Sequence, residues 1–191
     1  MVGKAVDALC ALDVASAMQV LKDDDEIDLL DLEIENRCLR MLALQHPMAS
    51  DLRTVGTAMK MITDIERVGD LAVDVARIAL KIEKELGDTR VIDLPKIANV
   101  ARVMFRQSLE AFVKRDLDLV QAVIKQDDVV DELYRQMRNQ IHESMRKSPD
   151  LVVADSWLML AIHNSERIAD HAVNVAERVH FTVTGEIKQL A

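Results

Sequence analysis

One eleven-residue phrase occurs twice in this chain. ERVGDLAVDVA runs from Glu66 to Ala76 and ERIADHAVNVA from Glu166 to Ala176, with seven identical positions at a spacing of 100. Self-similarity of that length means one structural unit built twice, so the fold of one copy dictates the fold of the other. Upstream the register continues at a spacing of 103, pairing Asp13 with Asp116, Val20 with Val123, Lys22 with Lys125, Asp24 with Asp127, Asp28 with Asp131 and Leu30 with Leu133. The change of spacing falls near Pro47 and Pro149, where the first copy carries the longer loop QHPMASD. Insertions belong in loops, so the two registers are consistent. Extrapolated backwards, the helix start at Asp93, Leu94 and Pro95 has its counterparts about ten residues before Met1, and the first helix of the first copy is therefore expected to be short.

The unit is helical. Half the residues are apolar and 30% are charged, with only five Gly, three Pro and 3% aromatics beside ten Met. Straight-chain and small residues of that kind lose little freedom in a helix. Breakers and apolar spacing predict helices at about Val2–Ala11, Asp13–Lys22, Asp24–Gln45 and Ser50–Leu86, the last stopped by Gly87. The second copy repeats them at Pro95–Lys114, Asp116–Lys125, Asp127–Lys147 and Asp150–Thr184, before Gly185. Val55, Met59, Ile62, Val68, Ala72, Val75 and Ala79 form the expected core stripe of one long helix. Leu158, Ile162, Ile168, Ala172, Val175 and Val179 form that of the other, and Trp157 and the Met residues are assigned to the core as well. The expected fold is all-α, with two tandem pseudo-symmetric bundles over residues 1–90 and 91–191.

Several function classes drop out on composition. A net charge of −9 argues against nucleic acid as the main partner. No apolar run approaches the ~18 residues of a membrane span, and the start lacks the basic and apolar regions of a secretory leader. Cys10 and Cys38, unmatched in the second copy, read as buried reduced thiols and point to the cytoplasm.

The chemistry-bearing pattern is acidic. Glu66 and Asp70, like Glu166 and Asp170, stand at i and i+4, which places both carboxylates on one helix face about 6 Å apart. Asp24 with Asp28, and Asp127 with Asp131, form a second such pair at an expected helix start in each copy. Helix capping explains an Asp at a helix start, and a solvated face explains a surface carboxylate pair. Yet these eight residues keep register while neighbours such as Asp31 against Tyr134 and Glu35 against Arg138 have diverged. Four carboxylates without Cys suit Mg, Mn, Fe or Ca better than structural zinc. Arg67 and Arg167 are retained beside the acids, as ion-pair partners or as a protein contact. His163 and His171 flank only the second pair, and Glu177 with His180 forms a Glu-x-x-His spacing whose first-copy positions are Arg77 and Leu80, which defeats a symmetric di-iron site. There is no phosphate-cradling glycine loop and no nucleophile elbow.

At HPMASDLR (His46–Arg53), ERVGD (Glu66–Asp70) and ERIAD (Glu166–Asp170) the chain resembles the PhoU family of bacterial phosphate-uptake regulators. The resemblance covers nearly the whole chain and implies tandem three-helix bundles. It implies metal ligands at Asp24, Asp28, Glu66 and Asp70, and at Asp127, Asp131, Glu166 and Asp170. Iron is the metal implied first, with Mg, Mn, Zn or Ca as alternatives. The implied role is non-enzymatic: a cytoplasmic adaptor contacting the ATPase subunit of the phosphate ABC transporter and the phosphate-sensing histidine kinase. Such a protein meets the membrane only through its partners. Apolar surface left open by the short first helix leads to the expectation of a homodimer. Ala169 departs from the family, which usually has Gly there. Two rival readings stand beside this one: a paralogue serving another transporter or a stress response, and a metal-dependent enzyme whose clusters activate water.

Overall fold

The computed structural model describes residues 1–85 and 93–190. Six α-helices are found among them: α1 (Val2–Ala11), α2 (Val14–Gln45), α3 (Ser50–Glu85), α4 (Leu94–Lys114), α5 (Leu117–Lys147) and α6 (Val152–Thr184), with one 3-10 turn at Pro149–Leu151 before α6. No strand occurs among the described residues. The expected boundary between residues 90 and 91, and the expected helix end at Leu86 and Gly87, lie outside the described residues.

The duplication is visible in the joints. α1 closes on Leu12 and α4 on Arg115, 103 residues apart, and both take the left-handed conformation, with φ 51° and 55°. The next residue in each repeat is an aspartate that starts a helix. Asp13 accepts hydrogen bonds from the backbone N–H groups of Ala15 and Ser16 at 3.0 and 3.1 Å. Asp116 accepts from Asp118 and Leu119 at 2.8 and 3.1 Å. These bonds satisfy two of the donors that a helix start leaves orphaned.

From these caps α2 and α5 run unbroken for 32 and 31 residues, which corrects the expected breaks after Lys22 and Lys125. No Gly or Pro interrupts either stretch, and the buried stripe of α5 (Val120, Val123, Val130, Leu133, Met137, Ile141) passes straight through Asp127. An aspartate cluster lowers helix propensity without ending a helix that packing holds. Asp24 and Asp127 therefore lie inside helices and cap nothing.

Helices α1–α3 form one three-helix bundle and α4–α6 the other. The first helix is short as expected, 10 residues in α1 against 21 in α4. Its brevity shows on α2, where Leu30 is 49% exposed while its counterpart Leu133 in α5 is 7% exposed. The core stripes of α3 and α6 are buried as expected, except that Met59 and Leu158 are only partly covered. Trp157 is also partly covered, with Lys81 Nζ 4.2 Å above its ring. Two assignments need correction: Met18, Met41 and Met48 are exposed, and so is Cys10, whereas Cys38 is buried.

The long helices α3 and α6 also pack on each other, so one continuous apolar cluster runs through both repeats. Polar bonds pin that contact. Asp64 on α3 is buried and meets three side chains of α6: His171 Nδ1 at 3.0 Å, Asn174 Nδ2 at 3.3 Å and Arg178 Nε at 3.1 Å. Thr182 donates to Thr57 at 2.7 Å nearby.

Candidate metal centre

Pairing of α2 with α3 and of α5 with α6 brings each i, i+4 acid pair opposite the other. In the first repeat, burial holds Asp24 above its ordinary pKa, and the charges of Asp28 and Asp70 add to it. Burial and then Asp70 raise Glu66, with Asp28 and Asp31 contributing further. All four predicted residues thus feel one another across the helix pair. Gly69 makes room for the approach, since a Cβ there would lie 3.2 Å from Asp24 Oδ1 and from Ile27 Cδ1. Arg67 stands at the rim, with Nη1 2.8 Å from Asp70 and Nε 3.5 Å from Glu66.

The second cluster is more strained. Burial, Asp131, Asp170, Asp128 and Glu166 together push Asp127 up to about 6. Glu166 is raised by burial and by Asp170, and Asp170 by burial and, against the pull of His171, by Asp131. His163 Nδ1 lies 3.3 Å from Glu166 and partly offsets its charge. Like charges in a half-dry crevice disfavour one another's ionised forms, and this repulsion is what a cation would relieve.

An all-oxygen anionic donor set fits a hard cation. The side chains are not yet gathered around a common centre, however. Among the described residues, no group of three or more His, Cys, Asp or Glu side chains is placed to hold a metal ion. In the first repeat the guanidinium of Arg67 reaches both Glu66 and Asp70 as an internal counter-charge.

The acid pairs of the two repeats share one sequence register, and the match to known proteins has the same two-part form. A sequence model of the PhoU domain matches residues 1–79 and again residues 94–179. The chain belongs to the PhoU domain family. It is 35% identical over 182 residues to a protein of Clostridium acetobutylicum named "Phosphate-specific transport system accessory protein PhoU homolog", covering 95% of this chain and 83% of that one. The crystal structure of PhoU from Pseudomonas aeruginosa aligns with a TM-score of 0.92 at 34% identity, over 97% of this chain and 89% of that one. The phosphate transport system regulatory protein PhoU from Streptococcus pneumoniae gives a TM-score of 0.88 at 27% identity, over 99% of this chain and 89% of that one.

On this PhoU fold the remaining candidates separate. Asp31 joins the first cluster, a role signalled by its spacing of three from Asp28 and seven from Asp24 and obscured by its divergence from Tyr134. His163 belongs to the second cluster, while His171 turns its Nδ1 to Asp64. Glu177 is engaged elsewhere, accepting from the backbone N–H of Leu190 at 2.6 Å. The Asp64 network was not visible in the sequence because its partners stand more than 100 residues away on α6.

Proposed function

We propose that this PhoU protein is a metal-binding, non-enzymatic regulator of phosphate uptake and phosphate-starvation signalling. In this reading it acts in the cytoplasm as a homodimeric adaptor between the ATPase subunit of the phosphate ABC transporter and the sensor histidine kinase. The observation that carries the reading is the family likeness through both repeats, to relatives named as accessory proteins of phosphate-specific transport. No helix among the described residues is long and apolar enough to cross a membrane, which is compatible with action through membrane-bound partners.

The acid clusters supply the metal part. Asp24, Asp28, Glu66 and Asp70 would hold one site, and Asp127, Asp131, Glu166 and Asp170 the other. A bound cation would supply charge neutralisation there, allowing the carboxylates to close up. Gly69 and Ala169 keep the helix pairs close, Arg67 and His163 moderate the negative field, and α3 against α6 couples the two repeats.

Deletion of the gene, followed by complementation with the wild type and with a variant carrying Asn or Gln at all eight acids, tests the role. A phosphate-starvation promoter should be derepressed in the deletion strain under phosphate excess, silenced by the wild type and not by the variant. Co-purification of the ATPase subunit and the kinase with the wild-type protein should accompany silencing. A deletion strain with normal promoter response would overturn the assignment.

A further inference from the structure

A second kind of site lies on the α3–α6 contact, and none of its lining residues belongs to either acid cluster. A pocket of about 550 Å3 opens between the first turns of α3 and the last turns of α6, within the usual range for small-molecule sites. Arg53, Lys60, Arg178 and Lys188 line it, against the single carboxylate of Glu177. In a chain of net charge −9 this is a local reversal of sign.

The charges there are not spent on one another. Glu177 is occupied by the Leu190 N–H, and Arg178 is held by Asp64. Arg53, Lys60 and Lys188 make no ion pair among the described residues. The Nε of Arg53 is buried with no hydrogen-bond partner, and its guanidinium packs beside Gly185, where a Cβ would lie 3.5 Å from Nη1. An unpaired buried donor on a fixed fork suits an oxyanion that accepts two bonds at once. The duplication did not impose this arrangement, because the repeat-related positions of Arg53, Lys60 and Arg178 are Val153, Leu160 and Ile78.

The lining also carries apolar side chains. Leu52, Phe181 and Ile187 face the same space, with Leu52 49% and Ile187 90% exposed. Asn174 uses its amide nitrogen on Asp64, which leaves its side-chain oxygen as an acceptor. Oxyanion-binding donors, apolar side chains and a side-chain acceptor lining one pocket fit a ring that carries a phosphate. We propose that the pocket binds a small organic phosphate of the size and chemistry of a nucleoside mono- or diphosphate.

Fluorescence titration of the full chain with N-methylanthraniloyl-ADP tests this, in low-salt buffer with EDTA so that the acid clusters hold no metal. Saturable binding in roughly the micromolar to hundred-micromolar range is expected, displaced by unlabelled ADP and weakened by added salt. Lys60 is exposed, so K60Q keeps the fold; R53Q/K60Q should weaken binding roughly tenfold or more, and F181A should weaken it while leaving every charge in place. K125Q, outside the pocket, should bind as the wild type does. The proposal is overturned by absence of saturable binding, by unchanged affinity in both R53Q/K60Q and F181A, or by displacement with adenosine or inorganic phosphate as efficient as with ADP.

Discussion

Asp127 is held up at about 6 by burial and by the surrounding carboxylates, so in the metal-free protein its ionisation at neutral pH works against the fold. A carboxyl raised in the folded state takes up its proton before the unfolded chain does, and stability grows as pH falls from 7 through 6 towards the ordinary Asp value near 4. Discounted for solvent screening, the gain is about 1 kcal/mol; urea midpoints of the apo protein at pH 7 and pH 5 measure it, and Asp127→Asn should remove most of it. Asp64 behaves in the opposite sense. Burial pushes it up, but hydrogen bonds from His171 and Arg178 and the Arg178 charge bring it below the ordinary value. Its contribution is complete above the unfolded Asp value and is lost only as pH falls through the lower folded value, so the two windows separate. Asp64→Ala should destabilise the protein by about 3 kcal/mol, since it leaves the Arg178 and His171 groups without their partner across α3 and α6. A loss below about 0.5 kcal/mol in chemical denaturation would show that the network contributes nothing.

At the scale of elements, what could be read in the sequence was what repeats. Asp13 and Asp116 were recognisable helix starts, Pro47 and Pro149 marked the turns, and the acid pairs stood out through their common register. Run-on of α2 through Asp23–Asp25 and of α5 through Asp127–Asp128 was not legible, because local preference says cap while packing of the whole helix says continue. A proline separates the two. Asp128 is exposed, and Asp128→Pro would be harmless at a first helical position but should cost about 3 kcal/mol or more inside a continuous helix. Thermal unfolding followed by circular dichroism reads that difference, and an unchanged midpoint would restore the break.

For the whole molecule, which apolar side chains of the first bundle stay exposed and how the acid pairs face one another across helices are set by packing that periodicity alone does not give. Leu29 and Leu44 on α2 and Met48 in the turn after it are 68%, 72% and 79% exposed, apolar side chains that association would cover. Sedimentation at roughly 10 μM should therefore report a dimer, and Leu29→Glu with Leu44→Glu a monomer; a monomeric wild type contradicts the homodimer. We propose that the two acid clusters are metal sites. Four like charges sharing each site destabilise the empty fold, so a cation bound only by the native arrangement raises stability by mass action. Glu66→Gln with Asp70→Asn should abolish that gain at the first cluster and leave the second intact. The most direct measurement is elemental analysis of the dialysed wild type beside the variant in which Asp24, Asp28, Glu66, Asp70, Asp127, Asp131, Glu166 and Asp170 are all carboxamides. Metal retained by the wild type and absent from the variant, with a melting temperature that falls on chelation only in the wild type, is the predicted result; equal metal content in both proteins would contradict it.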